Sequence, residues 1–135
     1  MGLLEEERKS IVGYRLEKAK ETFAEIPILI ENHLWRNAAN RLYYACFYAA
    51  SALLINDGHR AHTHNGVKSV LSLYYIKENK MDKSLIKIYG YLFNMRQRGD
   101  YEDWVIIDES DVKPLLQPAE NFVAAIEQLI LKASK

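Results

Sequence analysis

Apolar positions recur along this chain at intervals of three and four over nearly its whole length, and almost nowhere at intervals of two. The first helix this predicts runs from about Glu5 to Glu25. Ile11, Tyr14, Leu16, Ala19 and Phe23 give it a partial inner stripe, with Lys9, Glu17, Lys20 and Glu21 toward solvent. Pro27 ends or kinks it, and "ILIENHL" carries a further helical piece to about Asn32. The second helix spans about Trp35 to Ile55 and is apolar nearly all round, the pattern of a central helix buried on every side. Its alanines (38, 39, 45, 49, 50 and 52) permit close packing. "INDGHRAHTHNG" reads as a loop, with Gly58 and Gly66 as breakers.

A third helix follows from about Asn65 to Glu78, striped by Val67, Val70, Leu71, Tyr74 and Tyr75. Asp82 is placed to cap the fourth, whose inner face is Leu85, Ile88, Tyr89, Leu92 and Phe93. That helix runs to about Arg98, and Gly99 is the expected stop. "YEDWVIIDESD" is a loop; "WVII" has the composition of a strand but no partner strand. The fifth helix starts at Asp108 or Ser110 and runs to about Ala133 on Leu115, Ala119, Phe122, Ile126, Leu129 and Ile130. Pro114 falls in its tolerated first turn, while Pro118, one turn deeper, predicts a bend. The fold class expected is all-α: a single domain over residues 1–135, built as a five-helix up-down bundle with a loop between helices four and five.

Composition narrows the function classes. With 18 basic and 18 acidic side chains, the formal net charge is zero, so no global field draws the chain to nucleic acid or to an anionic membrane. A nucleotide contact would need a local cluster. Cys46 is the sole cysteine and lies in the apolar run "YYACFYAA", so it reads as a small core side chain rather than half of an internal disulfide. One unpaired thiol fits a reducing, cytoplasmic setting. The start "MGLLEEERKS" lacks a signal peptide's apolar region. The near-apolar run from Tyr43 to Ile55 is too short to span a bilayer, so no membrane association is expected.

Three groups of residues carry candidate chemistry. His59, His62 and His64 cluster in "GHRAHTHNG", but no cysteine completes a ligand set and the loop imposes no geometry, so no metal is expected there. His64 abuts the start of the third helix, where it can reach across the loop or touch an anion at the helix N-terminus. Arg41, Tyr44 and Tyr48 share one face of the second helix. Two readings stand for them: an arginine paired with an acid on a neighbouring helix, or one wall of a pocket for a phosphate or base.

The third group is "NMRQRGDYEDW". Arg96 lies one helical step beyond Leu92, so it extends the inner face and must meet acids, carbonyls or a bound anion. Asp100 is one helical step further, near a helix C-terminus where the dipole disfavours an acid, which points to specific pairing. Arg98 faces another side. On the residues alone, a structural ion-pair cluster is the better reading.

The runs "YRLEKAKETF", "NAANRLYYACFYAASALL", "THNGV", "FNMRQRGDYED" and "PAENFVAAIEQLI" occur here in an order and spacing that resembles the HEPN domain family, across nearly the whole chain. The resemblance implies a HEPN-like bundle of four to five helices, commonly a homodimer. It implies a cytoplasmic protein often encoded beside a minimal nucleotidyltransferase, in some cases as one half of a toxin–antitoxin pair. Toxic members are metal-independent ribonucleases. They use an arginine, followed after four to six residues by a histidine, in a cleft at the dimer interface. This chain departs from that motif: Tyr101 stands where a four-residue spacing from Arg96 calls for histidine, and no histidine follows His64. Tyrosine, with an ordinary pKa near 10, is a poor base at neutral pH.

The expectation is therefore a module that binds a nucleotide or a nucleotidyltransferase partner, without a cofactor and without assigned catalytic residues. Its candidate ligand-binding residues are Arg96, Arg98, Asp100 and Tyr101, with Arg41 and Tyr44 across a cleft, and His64 as a further candidate. The alternatives are an RNA-cleaving toxin using Arg96 with a nonstandard base, and an interaction protein in which the cluster only ties helices together.

Overall fold

A computed structural model describes residues 4–133. The helices are α1 (Glu5–Ala24), α2 (Ile26–Glu31), α3 (Trp35–Asn56), α4 (His64–Leu71), α5 (Lys83–Tyr101), α6 (Glu109–Val112) and α7 (Leu116–Ala133). Among the described residues there is no strand. Five principal helices and two short ones make the all-α architecture that the periodicity predicts.

The central helix is α3, and α1, α2, α4, α5, α6 and α7 all pack on it. Its small residues allow this. Ala38, Ala39, Ala45, Ala49, Ala50 and Ala52 are fully buried, so neighbouring backbones approach closely without leaving voids. Leu42, Leu53 and Leu54 fill the remaining space against Tyr89 and Leu92 of α5 and Phe122 and Ile126 of α7. Cys46 lies in this core, its thiol directed at the Ala119 carbonyl at 3.8 Å.

Local chemistry sets the helix ends. Glu5, Glu6 and Glu7 sit in the first turn of α1, where the dipole favours negative charge. Pro27 occupies the first turn of α2 and separates it from α1 at Glu25. The Asp82 carboxylate accepts from the Ser84 amide and caps α5. Asp108 and Asp111 form a reciprocal capping box at α6.

The structure corrects several expected details. Tyr14 is exposed and Val12, one face round, is buried in its stead. Gly66 breaks nothing: α4 starts at His64, Thr63 caps it by accepting from the Gly66 amide at 3.0 Å, and Gly66 lies inside the first turn. The third predicted helix does not keep its pitch. After Leu71 it widens into a π turn over Ser72–Ile76. That widening rotates Tyr74 out to solvent while keeping Tyr75 inside, where its hydroxyl donates to the Asp57 carboxylate.

Gly99 does not stop α5, which continues to Tyr101. It is a buried helical residue, where an added Cβ would lie 3.4 Å from Ile107 Cγ1 and 3.9 Å from Arg36 Cγ. The last predicted helix is divided into α6, a single 3₁₀ turn at Lys113–Leu115, and α7. Pro118 therefore falls in the first turn of α7, and the expected bend becomes a break just ahead of it. Residues 102–108 are a loop as expected, with Val105 and Ile107 turned inward and Trp104 and Ile106 outward.

Candidate functional site

The corner predicted at the end of α5 is built by three helices. Arg96 projects from α5 toward α3 and is buried, its side chain only 10% exposed. Its guanidinium carbon lies 5.3 Å from the ring centroids of both Tyr43 and Tyr44, 5.4 Å from that of Phe93 and 5.7 Å from that of Tyr101. Aromatic faces are negative, so this cage favours a cation that has lost much of its water. Asp100 Oδ2 lies 3.6 Å from Arg96 Nη1, the pairing that its place near a helix C-terminus suggested. Arg96 Nε is buried and has no hydrogen-bond partner among the described residues.

Asp100 also ties α5 to α3 by accepting from Asn40 Nδ2 at 3.0 Å. The other end of the same amide, Asn40 Oδ1, accepts from Arg41 Nε at 3.0 Å and Nη2 at 2.7 Å. Arg41 stands over Tyr44, 5.5 Å from its centroid, and makes a 3.7 Å contact with Glu25 between α1 and α2. Of the two sequence readings of the Arg41 face, the acid partner is present as Glu25; Arg41 also lines a cleft, but Tyr44 and Tyr48 do not line it with Arg41. Glu25, Asn37, Asn40, Arg41 and Asp100 line one cleft of about 620 Å³.

His64 enters from the start of α4. Its ring stacks on Phe93 with centroids 3.7 Å apart and planes 12° apart, and on Tyr89 at 4.8 Å. Its Nδ1 shares a 3.2 Å hydrogen bond with the Tyr43 hydroxyl. Burial, then the positive charges of Lys68 and Arg96, lower its pKa to about 4, so the imidazole is neutral at physiological pH. Burial likewise raises the Tyr43 pKa, which keeps that hydroxyl protonated.

The fold therefore brings His64, Tyr43, Tyr44, Arg96, Asp100 and Tyr101 to one corner, with Arg41 joined through Asn40. Arg98 is not among them. It is mostly exposed, pairs among the described residues with Glu102 at 3.8 Å, and lines a separate cleft with Tyr91, Asn94 and Asp111. His59 and His62 also part from His64: they line a cleft between α1 and α3. Among the described residues no three His, Cys, Asp or Glu side chains stand close enough to hold a metal ion.

Two important residues escaped the sequence reading. Arg36, at the start of α3, donates Nη1 to the Gly99 carbonyl and Nη2 to the Val105 carbonyl, clamping the end of α5 to the loop that follows. Asn40 connects Asp100 to Arg41. A signal for both was present: Arg36, Asn40 and Tyr44 recur at four-residue intervals, a polar stripe on an apolar helix.

Comparison with known proteins agrees with this architecture. Residues 12–129 match the family model described as the HEPN domain. A "UPF0332 protein" of Thermotoga maritima is 37% identical over 124 residues, covering 92% of this chain and 94% of the relative. "Putative toxin MJ0605" of Methanocaldococcus jannaschii is 30% identical over 128 residues, covering 95% of each. A second protein of that organism, "Putative toxin MJ0142", is 26% identical over 116 residues, covering 86% of this chain and 79% of the relative. The breadth of the family match and the end-to-end relatives lead to one conclusion: the chain belongs to the HEPN domain family.

Proposed function

We propose that this HEPN chain is a binding module for the phosphate of a nucleotide, taken up at the corner where Arg96, Tyr43 and His64 meet. The partners that suit this reading are a minimal nucleotidyltransferase and a second copy of the chain. The observation that carries it is Arg96 itself. The guanidinium is desolvated in a cage of rings, its one carboxylate contact is long at 3.6 Å, and its Nε has no acceptor. A cation held in this state gains from an incoming anion more than a fully paired one does. Tyr44 and the exposed Tyr101 add ring faces for a base.

Calorimetric titration with AMP and ATP tests this reading. Wild-type protein is expected to bind, and Arg96→Ala to bind at least tenfold more weakly with its helical spectrum unchanged. Absence of binding by the wild type, alone and with a co-expressed nucleotidyltransferase, would sink it.

A second reading, cleavage of RNA without metal, is favoured by one observation: His64 lies beside Arg96 although it precedes it by a whole helix. His64 would replace the motif histidine as proton acceptor, and Arg96 would steady the phosphate. The names of two relatives as toxins agree with it. Its weakness is basicity, since a pKa of about 4 makes His64 a feeble acceptor. Growth on induced expression, compared among wild type, Arg96→Ala and His64→Ala, tests it. Unimpaired growth with the wild type counts against it, and so does equal arrest by all three.

A further inference from the structure

The chain carries no net charge, yet its basic side chains are not evenly matched with acids. Arg8 and Arg15 of α1 and Arg60 of the loop after α3 line one cleft of about 620 Å³, together with His59 and His62, and no acidic side chain lines it. Among the described residues no carboxylate lies within ion-pair distance of any of the three arginines. Among the described residues Arg8 Nε, which is buried, has no hydrogen-bond acceptor. Gly58, in the left-handed region at φ 82°, folds the loop over Arg8: a Cβ there would sit 3.6 Å from Arg8 Nη1. Like charges gathered around a cavity repel one another unless an anion joins them.

The floor of the cleft identifies the anion's class. Phe47 of α3 lines it, and the Phe47 ring lies 6.3 Å from Tyr48, 6.3 Å from Tyr44 and 6.0 Å from Tyr43. Tyr43 and Tyr44 in turn flank Arg96. Phe47, Tyr48 and Tyr44 are only partly buried. A strip of rings thus runs from the arginine cleft to the Arg96 corner along about one and a half turns of α3, about 7.5 Å. Lys18 stands over the Tyr48 ring at 4.8 Å and Arg41 over the Tyr44 ring at 5.5 Å, so cations accompany the partly exposed rings as well as the cleft. Cations beside a row of partly exposed rings suit a flexible strand whose phosphates meet the cations and whose bases stack against the ring edges and faces left uncovered.

We propose that the Arg8–Arg15–Arg60 cleft is a backbone-phosphate subsite for single-stranded nucleic acid, with the strand's bases running over Phe47, Tyr48 and Tyr44. The extension toward Arg96 rests on the nucleotide reading above; the arginine cleft does not.

The test is fluorescence anisotropy with a labelled ten-residue oligouridylate, read as affinity against salt concentration. Wild-type protein should bind, and replacing Arg8, Arg15 and Arg60 by Gln should weaken binding at least tenfold and reduce the slope of log K against log salt by about 2, the value for three lost contacts to a single strand. Restoring the charge with Lys at all three positions should recover most of the slope. If the triple variant is poorly folded, Arg60→Gln alone, on an exposed loop, should reduce the slope by about 0.7. Wild-type affinity and slope in a folded triple variant would overturn the proposal. So would binding of sodium triphosphate by the wild type without binding of the oligonucleotide. AMP titration of the triple variant separates the two claims. AMP binding retained while the oligonucleotide is lost supports the cleft, and an oligonucleotide bound by a wild type that ignores AMP removes only the Arg96 reading.

Discussion

His64 and Arg96 meet on a single ring: His64 stacks on Phe93 at 3.7 Å, and the Arg96 guanidinium carbon lies 5.4 Å from the same Phe93 centroid. Tyr43 touches both, by a hydrogen bond to His64 and by its ring face to Arg96. A proton on His64 would therefore place a second positive charge beside a cation whose carboxylate contact, with Asp100, is long at 3.6 Å.

That relationship gives a pH dependence with a definite sign. The folded pKa of His64, about 4, lies below its ordinary 6.5, so the unfolded chain binds the proton more readily. The contribution to stability is complete above about 6.5 and is lost as pH falls toward 4. Because His64 is partly open to solvent, the size expected is roughly 1 kcal/mol. The melting temperature of the wild type should fall relative to that of His64→Phe as pH drops through this range, and NMR titration should find the imidazole well below 6.5. An imidazole titrating at or above 6.5 contradicts the burial described.

Arg36 holds two carbonyls: that of Gly99, which the end of α5 leaves without an intrahelical partner, and that of Val105 in the loop that follows. Arg36→Met keeps most of the stem and removes both bonds. The expected cost is about 2 kcal/mol in urea unfolding, with the loss of amide protection concentrated in residues 99–107. Arg36→Lys should recover little, because an ammonium does not span two acceptors as a planar fork does.

Gly99 and Gly66 are expected to respond differently to alanine. At Gly99 the new methyl meets Ile107 at an ordinary 3.4 Å inside a helix, so stability should hold or rise by up to about 1 kcal/mol. At Gly66 the methyl lies 3.0 Å from Thr63 Oγ1 and displaces the cap of α4. Gly66→Ala should therefore fall about 1 kcal/mol behind Gly99→Ala in the same urea titrations.

Cys46 is fully buried, and burial pushes its thiol pKa far up. A disulfide reagent should modify it only through unfolding, with a labelling rate that follows the global transition in urea. Rapid labelling of the native protein would place Cys46 elsewhere.

Periodicity was sufficient for the helices because burial repeats with the backbone. It placed α3 at the centre and Arg96 on an inner face. It failed where a local change of pitch or a long side chain intervened. The π turn at Ser72–Ile76 shifted Tyr74 outward, which no fixed repeat anticipates. Gly99 carries the composition of a helix stop, but the Arg36 clamp supplies the carbonyl partners that let α5 run on. The approach of His64 to Arg96 depends on how α4 crosses α3 and α5, a long-range matter on which residue spacing is silent. The family motif located Arg96 and marked Tyr101 as standing in the histidine's place; it said nothing of a histidine arriving from another helix.

The Asn40 side chain has one further consequence. Its amide is committed at both ends, donating a hydrogen bond to Asp100 and accepting from Arg41. Turned over, it would set oxygen against carboxylate and NH₂ against guanidinium. It therefore acts as a rectifier at the seam of α3 and α5, passing polarity in one direction, from the cation at Arg41 to the anion at Asp100 and on to Arg96. The order of charges across the corner is thus written by a neutral residue.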